Sequence, residues 1–297
     1  MRIEAAVKDY LLDIEIRKYS PRTVQSYKLK LRQLSNFCKE VDVMEVDDLT
    51  IGTVKQFTQM MLQRGNKGTY INSCLKTIKS FIQYCYEEGY GGFNTQRKSF
   101  KWVKEDKPVI RAFDKKDVRL LLDNCKGHKF LQIRDAAILT MFFETGIRCL
   151  ELCTIKEEDI RDGFILINGK NNKQRAVPIT PVLRKALYRY DRVRAEYFKE
   201  RRAEGFYFLS FSGKMLNNGA IDYMIKKRGK GIEGIRVSPH TCRHFFAQQQ
   251  IKMGTDLYTI SRLLGHENVS ITQIYLNSLN DADIVRMAQG SSVLMNM

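Results

Sequence analysis

Residues 145–152 read TGIRCLEL, and three more patterned segments follow in the second half of the chain. They are GKNNKQRAVPI at 169–179, HTCRH at 240–244 and LLGHE at 263–267. Tyr275 lies nine positions after the histidine of the last segment. Any one of these segments alone would be a weak signal, since a motif is only a hypothesis until its context agrees. Four of them in a fixed order form a specific pattern.

The charge of the chain indicates a polyanionic partner. Its 297 residues include 50 Lys and Arg against 33 Asp and Glu, which gives a formal net charge of +17 at pH 7. The basic residues are not confined to a tail, because one group lies between 17 and 32 and another between 184 and 202. A protein that grips double-stranded DNA from both sides has such a distribution. A basic surface that only aids solubility is the alternative.

The cysteines and the apolar segments indicate a cytoplasmic protein with no membrane partner. The seven cysteines are odd in number and scattered, and no CxxC pair occurs, which favours reduced thiols over disulfides. Residues 1–10 carry charges throughout and contain no apolar signal segment. The longest apolar stretch, near 136–143, is far too short to cross a bilayer.

The first domain, residues 1–100, is predicted to be helical. Ser20-Pro21 is a helix start, with serine as N-cap and proline at the first helical position. Apolar residues then recur at helical spacing up to Phe37, and similar patterns predict helices at 51–64 and 70–88. Glycines that follow the last of these patterns are expected to end it.

The second domain, residues 113–297, is predicted to be mixed. A charged linker at 101–112 precedes it, and Asp114 is its first helix N-cap. Two short apolar runs, 164–168 and 175–179, flank a polar segment and predict a β-hairpin. The fold class is therefore mainly α with a small β-sheet (α+β). Further helices are expected at 133–144, 181–202, 217–227, 239–252, 256–264 and 270–278.

The motifs in this order resemble the catalytic domain of tyrosine recombinases, the phage-integrase family that includes the Xer-type enzymes. The segment at 169–179 resembles the lysine-bearing hairpin of that family. In the first domain, SPRTVQSY at 20–27 resembles the helical, SAM-like core-binding domain that binds DNA. The resemblance therefore covers both domains and implies a two-domain recombinase.

The resemblance implies a catalytic set that acts on a DNA phosphodiester. Arg148 and Arg243 would each offer a planar fork of donors to the phosphate oxygens. His240 would accept the proton of Tyr275 or hold a non-bridging oxygen. Tyr275 would attack phosphorus and become a 3′-phosphotyrosine. Lys170 would protonate the departing 5′ oxygen.

The remaining residues of the implied site assist these five. His266 would supply another hydrogen bond to the phosphate, while Glu151 and His244 would have supporting roles. No metal or other cofactor is expected, because the arginines supply the positive charge. His240 and His244, four residues apart with a cysteine nearby, could instead bind a metal ion. The arginine between them argues against that alternative.

Two assignments have competitors within the sequence. Lys173 and Arg175 lie in or beside the same polar hairpin segment, and only the resemblance favours Lys170. Tyr275 lies on the apolar face of a predicted helix, so a core aromatic is the plain alternative to a nucleophile. The spacing from His266 favours the nucleophile.

The resemblance implies site-specific DNA recombination or integration, in which strands are exchanged through a Holliday junction. Four identical subunits would act on two double-stranded DNA sites, with accessory DNA-binding proteins as further partners. The expected DNA includes mobile elements that undergo transposition, although a chromosome, plasmid or phage is equally compatible. No separate arm-site DNA-binding domain is expected. The alternatives are a type IB topoisomerase-like enzyme that relaxes DNA and a DNA-binding relative without catalysis.

Overall fold

The computed structural model describes residues 1–95, 100–105, 111–169 and 173–276, together with 283 and 285. The chain divides into two compact units, Met1–Pro108 and Val109–Met297. Each unit has a hydrophobic core of its own, as expected of a domain.

The first unit is helical. Ser20 accepts a hydrogen bond from the Thr23 N–H, and Pro21 occupies the first turn, so the predicted helix start is confirmed. The first helix was not predicted from the sequence, although its buried Ile3, Tyr10 and Ile14 recur at helical spacing between charged residues. The helices are α1 (Ile3–Ile16), α2 (Pro21–Glu40), α3 (Ile51–Gln63) and α4 (Gly68–Glu87).

The segment after α4 is bound to that helix. The Val103 N–H donates to Oδ1 of Asn72 at 2.9 Å, and Nδ2 of Asn72 donates to the Val103 carbonyl at 2.8 Å. Phe100 is buried in the core of the same unit. The first residues of the expected linker at 101–112 are therefore packed against the first unit.

The second unit is mainly helical with one small sheet, so the predicted fold class is confirmed. Strands β1 (Phe164–Asn168) and β2 (Gln174–Pro178) pair antiparallel, with Phe164 opposite Pro178. The second strand begins one residue earlier than predicted. The helices are α5 (Lys115–Asp123), α6 (Phe130–Thr145), α7 (Cys149–Thr154), α8 (Pro181–Phe198), α9 (Asn218–Arg228), α10 (Pro239–Lys252), α11 (Leu257–Leu264) and α12 (Ser270–Gln273).

Helix α6 forms the centre of this unit. Apolar side chains such as Ala137, Leu139 and Met141 are buried on different sides of the helix, which packs against α8 and α10. A helix that is apolar all round belongs in a core. Within the described part of the chain, none of the helices is both long enough and apolar enough to cross a membrane.

Two helices end four or more residues before their predicted last residue. Helix α8 ends at Phe198 rather than 202, because the charged residues that follow have no apolar surface to bury. Helix α12 ends at Gln273 rather than 278. The Tyr275 N–H bonds the Thr272 carbonyl, three residues back, as the chain turns its tyrosine into the interior. Residues 277 and 278 lie outside the described part.

Gly146 connects the central helix to the motif at 145–152. It ends α6 with φ +60°, a left-handed conformation that glycine adopts without a steric penalty. A Cβ atom at this position would lie 2.4 Å from Cδ1 of Phe246 and 2.7 Å from Cδ2 of Leu264. The absence of a side chain therefore lets α10 and α11 approach the end of α6.

We predict that Gly146→Ala destabilises the protein more than Gly254→Ala. Gly254 also has a positive φ, +83°, but a Cβ there would meet no atom within 4 Å. The control should therefore lose only the backbone term of about 1–2 kcal/mol, whereas overpacking at Gly146 adds about 1–3 kcal/mol. Urea denaturation followed by circular dichroism measures both variants, and equal losses would contradict this packing argument.

Candidate active site

Two arginines are held at the C-terminal ends of two helices. Arg243 on α10 donates from Nη1 to the Gly146 carbonyl at 2.8 Å and from Nη2 to the Leu264 carbonyl at 2.9 Å. Arg148 donates from Nη2 to the Gly265 carbonyl at 2.6 Å. Carbonyls at helix C-termini carry partial negative charge, which favours a cation there. The ends of α6 and α11 thus bring the segments 145–152, 240–244 and 263–267 together.

Arg243 remains positively charged in this environment. Its side chain is buried, and the carbonyl oxygens that it contacts carry no net charge. Burial and the neighbouring Arg148 lower the pKa of Arg243 to about 10, which still leaves it protonated at neutral pH. A buried cation of this kind is suited to an arriving anion.

Glu151 orients Arg148. Its carboxylate accepts from Nη1 of Arg148 at 2.8 Å, from the Arg148 backbone N–H at 2.9 Å, and from both terminal nitrogens of Arg175 at 2.9 and 2.7 Å. Burial alone would raise the pKa of Glu151, but the hydrogen bonds and charges of Arg175 and Arg148 outweigh it, so its pKa lies below the ordinary value. Glu151 therefore stays ionised and fixes the guanidinium of Arg148.

Arg175 joins the hairpin to this site, which the sequence analysis missed. Besides its paired contact with Glu151, it donates from Nε to the Leu263 carbonyl at 2.8 Å. The available signal was strand alternation, because Arg175 lies on the same side of β2 as the buried Val177.

His240 and His266 lie in the electrostatic field of the same arginines. Desolvation, then Arg243, Arg236 and Arg148, lower the pKa of His240. Burial, then Arg243, Arg148 and Arg175, lower the pKa of His266 to about 4. Nδ1 of His266 lies 2.8 Å from the hydroxyl of Thr272. His266 is therefore neutral at neutral pH and leaves the positive charge of the site to the arginines.

Tyr275 is buried beside His244. Its ring packs in a cluster with Phe246, Ile260 and Leu264, and its hydroxyl lies 3.0 Å from Nδ1 of His244. Burial raises the pKa of Tyr275, and Arg243 opposes that shift by its charge and a hydrogen bond. The aromatic is thus a core residue and a member of the site at once.

Comparison with known proteins identifies the family. Residues 111–281 match the model of the phage integrase family, and residues 7–91 match that of the phage integrase N-terminal SAM-like domain. The chain belongs to the phage integrase family of tyrosine recombinases. Among the relatives of this recombinase, tyrosine recombinase XerC of Thermodesulfovibrio yellowstonii is 32% identical over 278 residues, which cover 91% of this chain and 90% of that protein.

Other relatives and solved structures agree with this membership. Tyrosine recombinase XerD of Staphylococcus haemolyticus is 28% identical over 278 residues, covering 92% of the recombinase and 94% of that protein. A lambda integrase dimer bound to a COC′ core site has the same fold, with a TM-score of 0.73 at 14% identity, covering 95% of this chain and 97% of that one. The resemblance stated from the motifs is confirmed. The family favours recombination over DNA relaxation.

Lys170, the acid predicted in the hairpin of the recombinase, lies outside the described residues. Of its competitors, Arg175 is bound to Glu151, and Lys173 is exposed at the start of the second arm. The Gly169 N–H donates to the Lys173 carbonyl at 2.8 Å, so the two arms of the hairpin are still paired at this point.

The alternative of a metal pair finds no support in the described residues. No group of three or more His, Cys, Asp or Glu side chains there could hold a metal ion. The ring of His244 is directed at the hydroxyl of Tyr275, and Cys242 is fully buried.

We predict that Glu151→Gln lowers the free energy of unfolding at pH 7 by about 2 kcal/mol, because hydrogen bonds to a charged acceptor are lost. The folded pKa of Glu151 is depressed, so its contribution is present above the unfolded value of 4.5 and is lost as the pH falls through the folded pKa. In urea denaturation, the difference in free energy of unfolding between wild type and variant should therefore shrink below pH 4.5.

The matched control is Glu158→Gln. Glu158 is 70% exposed and pairs with Lys156 at 3.5 Å, so its loss should be nearly neutral. If the difference in free energy of unfolding between wild type and Glu151→Gln stays constant down to acidic pH, the role given to the ionised carboxylate is contradicted.

Proposed function

We propose that this tyrosine recombinase cleaves and rejoins double-stranded DNA at specific sites through a 3′-phosphotyrosyl intermediate on Tyr275. The observation that carries the proposal is the position of Arg148 and Arg243. Both are held by carbonyls at the ends of α6 and α11, and both act on the pKa of Tyr275. An oxygen nucleophile beside two cations is what attack on a phosphodiester requires.

The proposed reaction assigns one task to each residue. Oη of Tyr275 forms a bond to phosphorus, and the bond from phosphorus to the 5′ oxygen breaks. Arg148 and Arg243 stabilise the extra negative charge of the pentacoordinate transition state. His240 and His266, which lie among the arginines, hold phosphate oxygens. Lys170 gives a proton to the departing 5′ oxygen, and rejoining reverses these steps.

We assign DNA binding to residues 1–100, a linker to 101–112 and catalysis to 113–297. The two family models, matched at 7–91 and 111–281, support this division. The net charge of +17 supports double-stranded DNA as the partner, because lysine and arginine contacts to phosphates dominate such binding. A cytoplasmic location stays a prediction.

We propose that four copies act on two DNA sites and exchange strands through a Holliday junction. Support comes from a related structure, a lambda integrase tetramer bound to a Holliday junction, with a TM-score of 0.72. We also expect accessory DNA-binding proteins as partners and a mobile element as the DNA that is recombined. The Tn1549 transposon integrase, in complex with circular intermediate DNA, shares the fold at a TM-score of 0.69. Sequencing the DNA that flanks the gene tests whether the gene lies beside the ends of a mobile element.

We predict that Tyr275→Phe binds DNA with near-normal affinity and forms no covalent adduct. The variant lacks the proposed nucleophile, whereas affinity depends mainly on contacts from basic residues to phosphates. A suicide substrate with a nick beside the cleavage site traps the adduct, which denaturing gel electrophoresis detects. EDTA is included, because the proposed chemistry uses no metal.

The matched control is Tyr258→Phe. Tyr258 lies on α11 and is 64% exposed, so its loss should leave adduct formation unchanged. An adduct formed by Tyr275→Phe would falsify the assignment of the nucleophile. DNA cleavage that is lost in EDTA and restored by a divalent ion would indicate a metal-dependent nuclease.

We predict that a 5′-bridging phosphorothiolate rescues Lys170→Ala but not Arg148→Ala. The sulfur leaving group has a much lower pKa than the 5′ hydroxyl and needs little help from an acid. General-acid catalysis contributes about 10²–10⁴-fold, so the rescue should be large. Arg148→Ala should stay slow on both substrates, because the phosphorane is still not stabilised. Single-turnover cleavage rates measure the effect.

Lys173→Ala is the control for the position of the acid in the hairpin. Rescue of Lys173→Ala instead of Lys170→Ala would transfer the role to Lys173. If neither variant is rescued, the lysine is an electrostatic contact and the acid lies elsewhere.

A further inference from the structure

His244 is the histidine in contact with the nucleophile. It lies on α10 next to Arg243, and its Nδ1 atom is 3.0 Å from Oη of Tyr275. The two rings are tilted by 58° with centroids 5.5 Å apart, so the ring edge, not its face, meets the hydroxyl. This distance lies within the range for direct proton transfer.

The other two histidines of the site have different surroundings. His240 lies one helical turn before His244 and is exposed. Desolvation, then the charges of Arg243, Arg236 and Arg148, lower its pKa. His266 directs Nδ1 to the hydroxyl of Thr272. Both positions are suited to a phosphate oxygen held among arginines, whereas His244 faces the phenol.

In this contact, the imidazole of His244 can act as a base and the phenol of Tyr275 as an acid. Burial, then His240 and Arg243, lower the pKa of His244 to about 4, so the ring is neutral at neutral pH. A neutral imidazole with its proton on Nε2 accepts a hydrogen bond at Nδ1. The phenol proton becomes far more acidic as Oη bonds to phosphorus, so the proton moves during the attack rather than before it.

We propose that His244 is the general base for Tyr275, a refinement that rests on the proposed function. As the bond from Oη to phosphorus forms and the bond to the 5′ oxygen breaks, the phenol proton passes to Nδ1 of His244. The 5′ oxygen receives its proton from the separate acid. When the strand is rejoined, the imidazolium of His244 returns its proton to Oη. His240 then serves the phosphate alone.

The first test separates a base from a group that only positions the tyrosine. His244→Ala removes both functions, while Oδ1 of His244→Asn lies near the place of Nδ1 and accepts the hydrogen bond without taking the proton. Under single-turnover conditions with the suicide substrate, both variants should be slower than wild type by about 10²–10⁴-fold. A near-normal rate for His244→Asn would overturn the proposal and leave a positioning role.

The second test changes the acidity of the nucleophile. Fluorotyrosine, introduced at position 275 by amber suppression, has a phenol of lower pKa and depends less on a base. It should accelerate His244→Ala by at least about tenfold more than it accelerates wild type. His240→Ala is the matched control on the same helix and should show no such gain. A gain confined to His240→Ala would assign the base to His240 and overturn the proposal.

Adduct formation by the unmodified protein distinguishes a failure of the proposed function from a failure of the role of His244. If the unmodified protein forms no adduct with the suicide substrate, the proposed function is wrong. If it forms an adduct at Tyr275 and His244→Ala matches its rate, only the role of His244 is wrong. Thermal unfolding and DNA binding of each variant identify a loss caused by misfolding. The fluorotyrosine rescue keeps the test decisive, because a misfolded site would not recover.

Discussion

The site depends on a buried arginine that ties two helix ends together. Arg243 donates to the carbonyls of Gly146 and Leu264, which lie at the C-terminal ends of α6 and α11. These bonds satisfy the guanidinium without neutralising it, so its charge remains available to an anion. A carboxylate in the same place would have cancelled the positive charge that the proposed reaction needs. By joining the ends of α6 and α11, these two hydrogen bonds also fix how the segments around Arg243 are arranged.

The ionised carboxylate of the site, Glu151, contacts Arg148 and Arg175, whereas Arg243 is bound by carbonyls. Glu151 binds Arg148 and Arg175 together, and its paired contact with Arg175 is the more buried of the two. Arg175 also bonds the Leu263 carbonyl, so the hairpin is joined to the end of α11. A buried acid between two cations costs desolvation, but it holds their side chains in one arrangement. Glu151 is thus a positioning residue for Arg148.

Tyr275, the nucleophile that we propose, combines two roles that were alternatives at the level of the sequence. Tyr275 is 2% exposed and packs in an apolar cluster, yet its hydroxyl contacts His244 and is influenced by Arg243. Helix α12 ends before it, and the tighter turn directs the ring inward. The interior therefore fixes the hydroxyl beside the base that we propose for it.

The sequence by itself determined the family, the mainly helical class and the hairpin, and it named the candidate site residues, because motif spacing, capping residues and apolar periodicity are local properties of the chain. It missed α1 and α7, and it made α12 too long. Only the tertiary structure decided that Arg175 serves Glu151 and that His244, rather than His240, meets Tyr275. The reason is that these contacts join residues 24 and 31 positions apart, and their geometry depends on how the elements pack.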